Sequence, residues 1–399
     1  MTERLWTPTF VGLSLAGLCS SMIFYLLVPT MAGYAMERFG SGPTAAGALA
    51  SVFFIGALLA RLVSGWLVER LGTRLMALVA VSFYLLTTAG YLITPTIETT
   101  MGLRLLNGVG FGLFSSALAT GVMMIVPARR RAEGAGWFGV SLSLAIGLGP
   151  FLALQLKSTP WGMQAVFVAA LGCALVAFVL ILTAGGGLPG HTAPEPGHES
   201  GGWRNMLEGR AVGIGVAMLF GGFTYAAILT FLDEATSGTH LAAAAAWFFL
   251  VYSIGVMVVR PVAGRLQDAR GERIVLIPAW IFNVIAVAMV AFANHGAVLL
   301  AAAAILALGW GSITTGAQAA TVNRVPPART GAAIATYYFL LDLGTGIGPI
   351  VLGTLVGPFG YRGVFIAAVL ACVTGFVAYL VHLRRRPPSP GIASASNPG

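Results

Sequence analysis

Residues Gly65–Arg74 read GWLVERLGTR, and Gly264–Arg273 read GRLQDARGER, an offset of 199 positions (264 − 65 = 199). Each stretch closes one apolar run and opens the next. Each begins with glycine, carries an acid at its fifth place (Glu69, Asp268), a glycine at its eighth (Gly72, Gly271) and an arginine at its tenth (Arg74, Arg273). Glycine at that eighth place suits a tight turn with positive φ. The same offset carries Arg61 onto Arg260, and Gly110, Gly112 and Pro127 onto Gly309, Gly311 and Pro326. It carries Gly147, Gly149 and Pro150 onto Gly346, Gly348 and Pro349, and Cys173 onto Cys372. One offset shared by several separate regions makes the chain an internal repeat of two halves.

Composition says what the halves are made of. The chain has 399 residues, 57% hydrophobic and 9% charged, with a mean hydropathy of +0.88. Soluble domains carry about 25% charged residues, so much of this surface faces lipid. Twelve apolar segments, each long enough to span, lie at 10–34, 45–68, 75–94, 99–125, 134–155, 163–183, 211–232, 241–259, 274–293, 297–322, 332–356 and 363–383. All read as helices, because backbone groups in lipid need internal partners. The first is too long for a signal-peptide core and is read as a retained span. The expected fold is an all-α integral membrane protein with twelve transmembrane helices in two pseudo-symmetric six-helix bundles.

The net charge of +9 is distributed as a topology signal rather than a nucleic-acid stripe. With the N-terminus in the cytoplasm, inner loops and tails hold Arg4, Arg70, Arg74, Arg129, Arg130, Arg131, Arg204, Arg210, Arg265, Arg270, Arg273, Arg324, Arg329, Arg384, Arg385 and Arg386. Outer loops hold Arg38, Lys157 and Arg362. Both termini are therefore expected inside. The domains read as a first bundle at 1–183, a Gly/Pro-rich cytoplasmic linker at 184–210, a second bundle at 211–383 and a disordered cytoplasmic tail at 384–399. Six crossings per half make the repeat parallel, with a cavity expected where the halves meet.

GWLVERLGTR resembles the signature loop of the major facilitator superfamily, Gly-x3-Asp-Arg-x-Gly-Arg-Arg, with Glu69 in the acid position followed by Arg70. GRLQDARGER is a weaker copy, with Gly264, Asp268, Gly271 and Arg273. RLLNGVGFG (Arg104–Gly112) is similar to a pattern of proton-coupled members, and GLGP (Gly147–Pro150) resembles part of the Gly-Pro motif of the bacterial twelve-helix drug:proton antiporter branch. The usual trailing Gly-Gly of that motif is absent, since Ala153 and Leu154 stand there; span 11 carries a fuller version, GTGIGPIVLG (Gly344–Gly353). The resemblance implies that Glu69 meets the N-terminus of span 11 as a gate latch, against the plainer reading of a topology-setting loop. It also implies that helices 1, 4, 7 and 10 line the cavity. Pro150 and Pro349 each remove a helix hydrogen bond, and Gly149 and Gly348 permit close packing, for a hinge or for packing alone.

Charge inside the spans is the sharpest functional signal. Arg61 and Arg260 are read as lying near the inner ends of spans 2 and 8, which leaves Arg104 and Asp342 well inside. Such groups are functional candidates, with a structural clamp as the alternative. An isolated ionised carboxylate is unfavourable in low dielectric, so Asp342, with Arg104, is the candidate for proton coupling. Tyr338, Asp342 and Thr345 share one face of span 11, and Arg104, Asn107 and Phe111 one face of span 4. The expected substrate cavity adds Ser21, Tyr25, Tyr225, Thr314 and Gln318. Read this way it is aromatic and nearly uncharged, which favours a neutral, cationic or zwitterionic solute over a phosphorylated or polycarboxylate one. Asn283 is expected to bond a neighbouring helix.

Three cysteines without CxxC spacing point to neither a disulfide framework nor a zinc site, and His191 and His198 read as linker residues. No GxSxG, HExxH or Walker pattern appears, so neither enzyme chemistry nor a cofactor is expected. The expected protein is a monomeric proton-coupled secondary transporter of a bacterial inner membrane that exports a small organic molecule: drug-like, sugar, amino-acid derivative or metallophore. Proton-driven uptake of a nutrient is the alternative on the same fold, and a non-transporting receptor or scaffold the alternative of another class.

Overall fold

The computed structural model describes residues 4–41, 43–189, 207–236 and 238–384. Most of the linker and the tail, including His191, His198, Arg204, Arg385 and Arg386, lie outside the described residues. Within them run twelve long helices: α1 (Pro8–Phe39), α2 (Pro43–Leu71), α3 (Thr73–Gly90), α4 (Ile97–Ile125), α5 (Arg131–Lys157), α6 (Met163–Ala184), α7 (Gly209–Thr236), α8 (Ala242–Arg270), α9 (Glu272–Ala291), α10 (Gly296–Val322), α11 (Thr330–Gly353) and α12 (Val356–Arg384). All twelve have a stretch long and apolar enough to cross a membrane. The chain is a multi-pass membrane protein.

Local chemistry sets the helix ends. Thr7 caps α1 by accepting from the Phe10 N–H at 3.1 Å, with Pro8 in the first turn. Thr96 and Thr99 form a capping box on α4. The turns α2–α3 and α8–α9 consist of Gly72 (φ 75°) and Gly271 (φ 88°), the positive-φ positions that the repeated stretch calls for. Most helices overrun their apolar segments, whereas α3, α9 and α11 stop two to four residues short of theirs at the C-terminal end. The largest departure is α8, which continues past 259 to Arg270 and carries Pro261 within it. The intramembrane Arg260 had cut that segment short.

Each half packs around its own apolar core. One centres on Phe10, Leu27, Val81, Phe114 and Phe167, the other on Met218, Phe248, Trp280, Val287 and Phe365. Small residues bring the helices close, as lipid-embedded packing requires. An added Cβ on Gly344 of α11 would overlap the carbonyl oxygen of Leu219 on α7. Gly344→Ala should therefore lower stability by about 1–3 kcal/mol, the usual cost of overpacking. The check is the thermal midpoint in detergent; an unchanged midpoint would mean that α7 and α11 pack less tightly than described. Asn283 of α9 donates to Cys372 Sγ of α12 at 3.2 Å, so it does bond a neighbouring helix.

Candidate functional site

The site lies on the seam between the halves. Arg61 is on α2, ten residues before that helix ends at Leu71, or about 15 Å along the axis. Asp342 is on α11, twelve residues after Thr330, or about 18 Å in. Their side chains form a salt bridge across the seam, Arg61 Nε to Asp342 Oδ2. Arg61 is nearly enclosed, whereas the Asp342 side chain keeps 34% of its surface, so open space in the seam reaches the acid. The Arg61 guanidinium also lies over the Tyr338 ring, 4.7 Å from its centroid. Asp342 is therefore not an isolated carboxylate.

The repeat generates a second crossing. Arg260, at 61 + 199, reaches from α8 to Ser143 of α5, at 342 − 199. Its Nη1 donates to the Gly139 carbonyl and to Ser143 Oγ at 3.0 Å, and Nη2 to Thr314 Oγ1 on α10 at 3.4 Å. The two crossings are pseudo-symmetric, but the acid of the first is a serine in the second. Among the described residues no carboxylate pairs with Arg260. Tyr25 and Tyr338 stand within electrostatic reach of both Arg260 and Asp342. Tyr337 donates to the Thr314 carbonyl at 3.0 Å, and Tyr338 to Gln318 Oε1 at 3.5 Å. Tyr225 stacks on Trp310, centroids 5.5 Å apart.

Several expectations need correction here. The seam is not nearly uncharged: it holds Arg61, Arg260 and Asp342. Arg104 and Asn107 are fully buried inside the first half. The Arg104 guanidinium lies 4.5 Å from the Phe53 ring centroid, and Asn107 donates to Thr87 and Thr88 of α3 at 3.2 and 3.1 Å. Phe111 packs among Phe24, Phe53 and Tyr84. That face of α4 turns toward α2 and α3, because the glycines on α4 seat it against α2: a Cβ on Gly108 or Gly112 would meet the α2 backbone. Arg104 thus stands apart from Asp342. Thr345 faces α7, where a Cβ on Gly222 would come within 2.7 Å of its hydroxyl. Ser21 is buried on α1. Tyr25, Tyr225, Thr314, Gln318, Tyr338 and Asp342 do gather at the seam, joined by Arg61, Arg260, Ser143 and Trp310. The offset that pairs 61 with 260 and 342 with 143 is the signal that could have found the two arginines.

Below this level, toward the end that carries both repeated loops, the halves touch. A Cβ on Gly65 would lie 2.7 Å from Ala332 Cα. Glu69 Oε1 accepts from Arg329 Nη1 at 2.8 Å, and Arg329 is the cap residue of α11. Arg329 Nε also bonds Glu208 at 2.9 Å. The second copy meets α5 more directly: Asp268 accepts from the backbone N–H groups of Ala132 (3.0 Å) and Glu133 (2.8 Å) in its first turn. Glu133 in turn binds Arg130 and Arg265 at 2.7 and 2.8 Å. Arg70 stacks on Trp66 at 4.4 Å, while Arg74 and Arg273 are exposed. Gly149 abuts Tyr25, and Gly348 abuts Phe223; each precedes a proline (Pro150, Pro349) held within a continuous helix. A cleft of about 350 Å³ near Leu232, Asn294 and Arg362 lies within the second half, not on the seam.

Comparison with known proteins agrees with this architecture. The chain is 25% identical over 387 residues to an uncharacterized MFS-type transporter of Burkholderia mallei (strain SAVP1), covering 93% of this chain and 91% of that one. It is 27% identical over 375 residues to one of Pseudomonas aeruginosa (strain UCBPP-PA14), covering 90% and 89%. Among solved structures, the human organic anion transporter MFSD10 superposes with a TM-score of 0.77 at 16% identity, covering 95% of this chain and 100% of that one. FucP in the outward conformation gives 0.72 at 16% identity, covering 94% and 99%. The family model of the Major Facilitator Superfamily matches residues 13–237 and 214–398, and the chain belongs to that superfamily of membrane transporters.

Proposed function

We propose that the chain is a proton-coupled secondary transporter that carries a small organic solute through the seam by alternating access, with Asp342 as the proton site. The observation that carries this reading is the Arg61–Asp342 bridge. It is a titratable contact that joins the two moving halves, so protonation and rearrangement are linked. A solved structure with this fold is a fucose:proton symporter, so the architecture accommodates proton coupling. Arginine asymmetry assigns the end with the repeated loops, and both termini, to the cytoplasm; the relatives in Burkholderia and Pseudomonas support a bacterial inner membrane. The conformation described is then closed toward the cytoplasm, and the working unit is one chain.

The helix-break motifs of spans 5 and 11 argue for export in exchange for protons. The seam argues for the opposite direction. Neutralising Asp342 releases the cation of Arg61 rather than vacating a cation-binding site, which favours proton-driven uptake.

The gate reading rests on Glu69–Arg329 and Asp268 on the first turn of α5. Glu69→Gln with Asp268→Asn should weaken cytoplasmic closure by about 1–3 kcal/mol, since charge-assisted hydrogen bonds are lost on both sides. Spin labels at positions 75 and 274, the symmetric rim positions on α3 and α9, should move apart in a larger fraction of molecules. An unchanged distance distribution would reduce the two loops to topology signals and remove the gate.

A further inference from the structure

We infer that the solute is an organic anion, anchored by Arg260 and carried together with the proton that neutralises Asp342. The inference rests on the carrier reading above and adds the solute's charge and the sign of coupling. With Asp342 ionised, the seam at this level holds, among the described residues, two guanidiniums and one carboxylate, a net charge of +1. Arg61 is matched by Asp342. Arg260 is met by a carbonyl and two hydroxyls, all neutral acceptors. Its only equivalent of the first crossing's acid is Ser143, whose side chain cannot carry charge. A partly buried cation held by neutral groups alone is incompletely compensated, and an arginine fork is suited to a carboxylate, sulfonate or phosphate. The pseudo-symmetry strengthens the argument. One arginine has its anion supplied by the chain, and the symmetric one has the anion's place held by a hydroxyl. The tyrosines around it, Tyr25, Tyr225 and Tyr338, offer ring faces and hydroxyls for an apolar or hydroxylated body.

Groups facing Asp342 determine the coupling. They are Arg61 from α2, Tyr25 from α1, and Tyr337 and Tyr338 from its own helix; Arg260 from α8 shares those tyrosines. Arg104 of α4 is packed away against Phe53, and among the described residues α7 and α10 contribute Tyr225, Thr314 and Gln318, none charged. When Asp342 takes a proton, the seam goes from +1 to +2 and Arg61 becomes available as a second fork. Anion affinity rises, and by reciprocity the bound anion favours the proton. Proton and monoanion then cross together, and no net charge moves.

The test uses the purified full-length chain in detergent and three matched probe sets. They are 3-phenylpropionate with its amide and amine, hexanoate with its amide and amine, and gluconate with its amide and glucamine. At least one carboxylate should raise the unfolding midpoint more than its neutral and cationic partners. Arg260→Gln should weaken that binding by about tenfold or more, and Arg260→Lys should restore part of it. Phenylmethanesulfonate, which stays anionic throughout, should bind more tightly as pH falls from 8 to 6, by up to about tenfold per unit for one linked proton. Asp342→Asn should remove that pH dependence. An amine or amide that binds best, no effect from any carboxylate, wild-type anion affinity in Arg260→Gln, or sulfonate binding that weakens on acidification would each overturn the inference. If Arg260→Gln does not fold, the wild-type probe series decides alone. The carrier reading fails separately. A protein that binds anions this way but moves none in proteoliposomes sinks the carrier and keeps the anion site. One that moves amines in response to a pH gradient keeps the carrier and sinks the anion.

Discussion

Replacing Asp342 with asparagine should leave a folded, inserted protein that no longer converts a pH gradient into solute accumulation. Asparagine keeps the shape of aspartate and can still accept from Arg61, but it cannot change charge. Without a group whose protonation takes the seam from +1 to +2, solute binding and proton binding are no longer linked. With one proton per monoanion, the gradient-driven accumulation lost is at most about tenfold per unit of pH gradient, since one pH unit is about 1.4 kcal/mol. Solute exchange without a gradient should survive, because the asparagine variant resembles the protonated state. A structural acid would behave differently. Asparagine would then either preserve coupling or lower the yield of folded protein. Solute-induced pH change in proteoliposomes, normalised to folded protein, separates these cases, and wild-type coupling in the variant would eliminate Asp342 as the proton site.

Twelve spans, the parallel repeat and the tight glycine turns could be read from the sequence because each has a one-dimensional signature. Hydropathy marks a span, the constant offset marks the repeat, and Gly72 and Gly271 stand where only positive φ closes the turn. The site was harder to read, for two physical reasons. A helical face can be deduced from spacing, but the neighbour it meets cannot. Arg104, Asn107 and Phe111 do share a face, yet close packing of α4 on α2 turns that face into the first half's own core. Hydropathy also treats a charge as the end of a span. Arg260 ends the eighth segment at 259, although α8 continues to Arg270, and Arg61 reads as lying near the inner end of span 2, although α2 runs ten residues beyond it. Long guanidinium side chains reach well beyond their Cα positions, so both arginines act at the seam rather than at a surface. Glu69 was expected at the N-terminus of α11 and meets its cap residue's side chain. Asp268, in the second copy, instead accepts from backbone N–H groups in the first turn of α5.

Removing Arg61 should destabilise the protein more than removing both members of its pair. In Arg61→Gln the Asp342 carboxylate remains at the seam, about 18 Å into its helix, without the guanidinium. Breaking a buried ion pair on one side costs about 3–5 kcal/mol. Asp342 keeps 34% of its side-chain surface, so a value of about 2–3 kcal/mol at pH 8 is expected here. Arg61→Gln with Asp342→Asn removes both charges and should recover most of that loss, because no ion is then left unpaired. The double-mutant cycle should therefore be non-additive by about 1–2 kcal/mol. The pH dependence has a definite sign. In Arg61→Gln the penalty comes from an unpaired negative charge, so acidification, which protonates Asp342, should shrink it. In the double variant nothing titrates at this position, and the difference from wild type should not fall with pH in that way. Arg61→Lys tests the fork itself, since lysine keeps the charge but loses the planar pair of donors; it should lie between wild type and Arg61→Gln. Unfolding by SDS titration at pH 8 and pH 5.5 measures wild type, the two single variants Arg61→Gln and Asp342→Asn, the double variant and Arg61→Lys. Additive single-variant effects, or a penalty in Arg61→Gln that grows on acidification, would mean that the two halves are not held together through this pair.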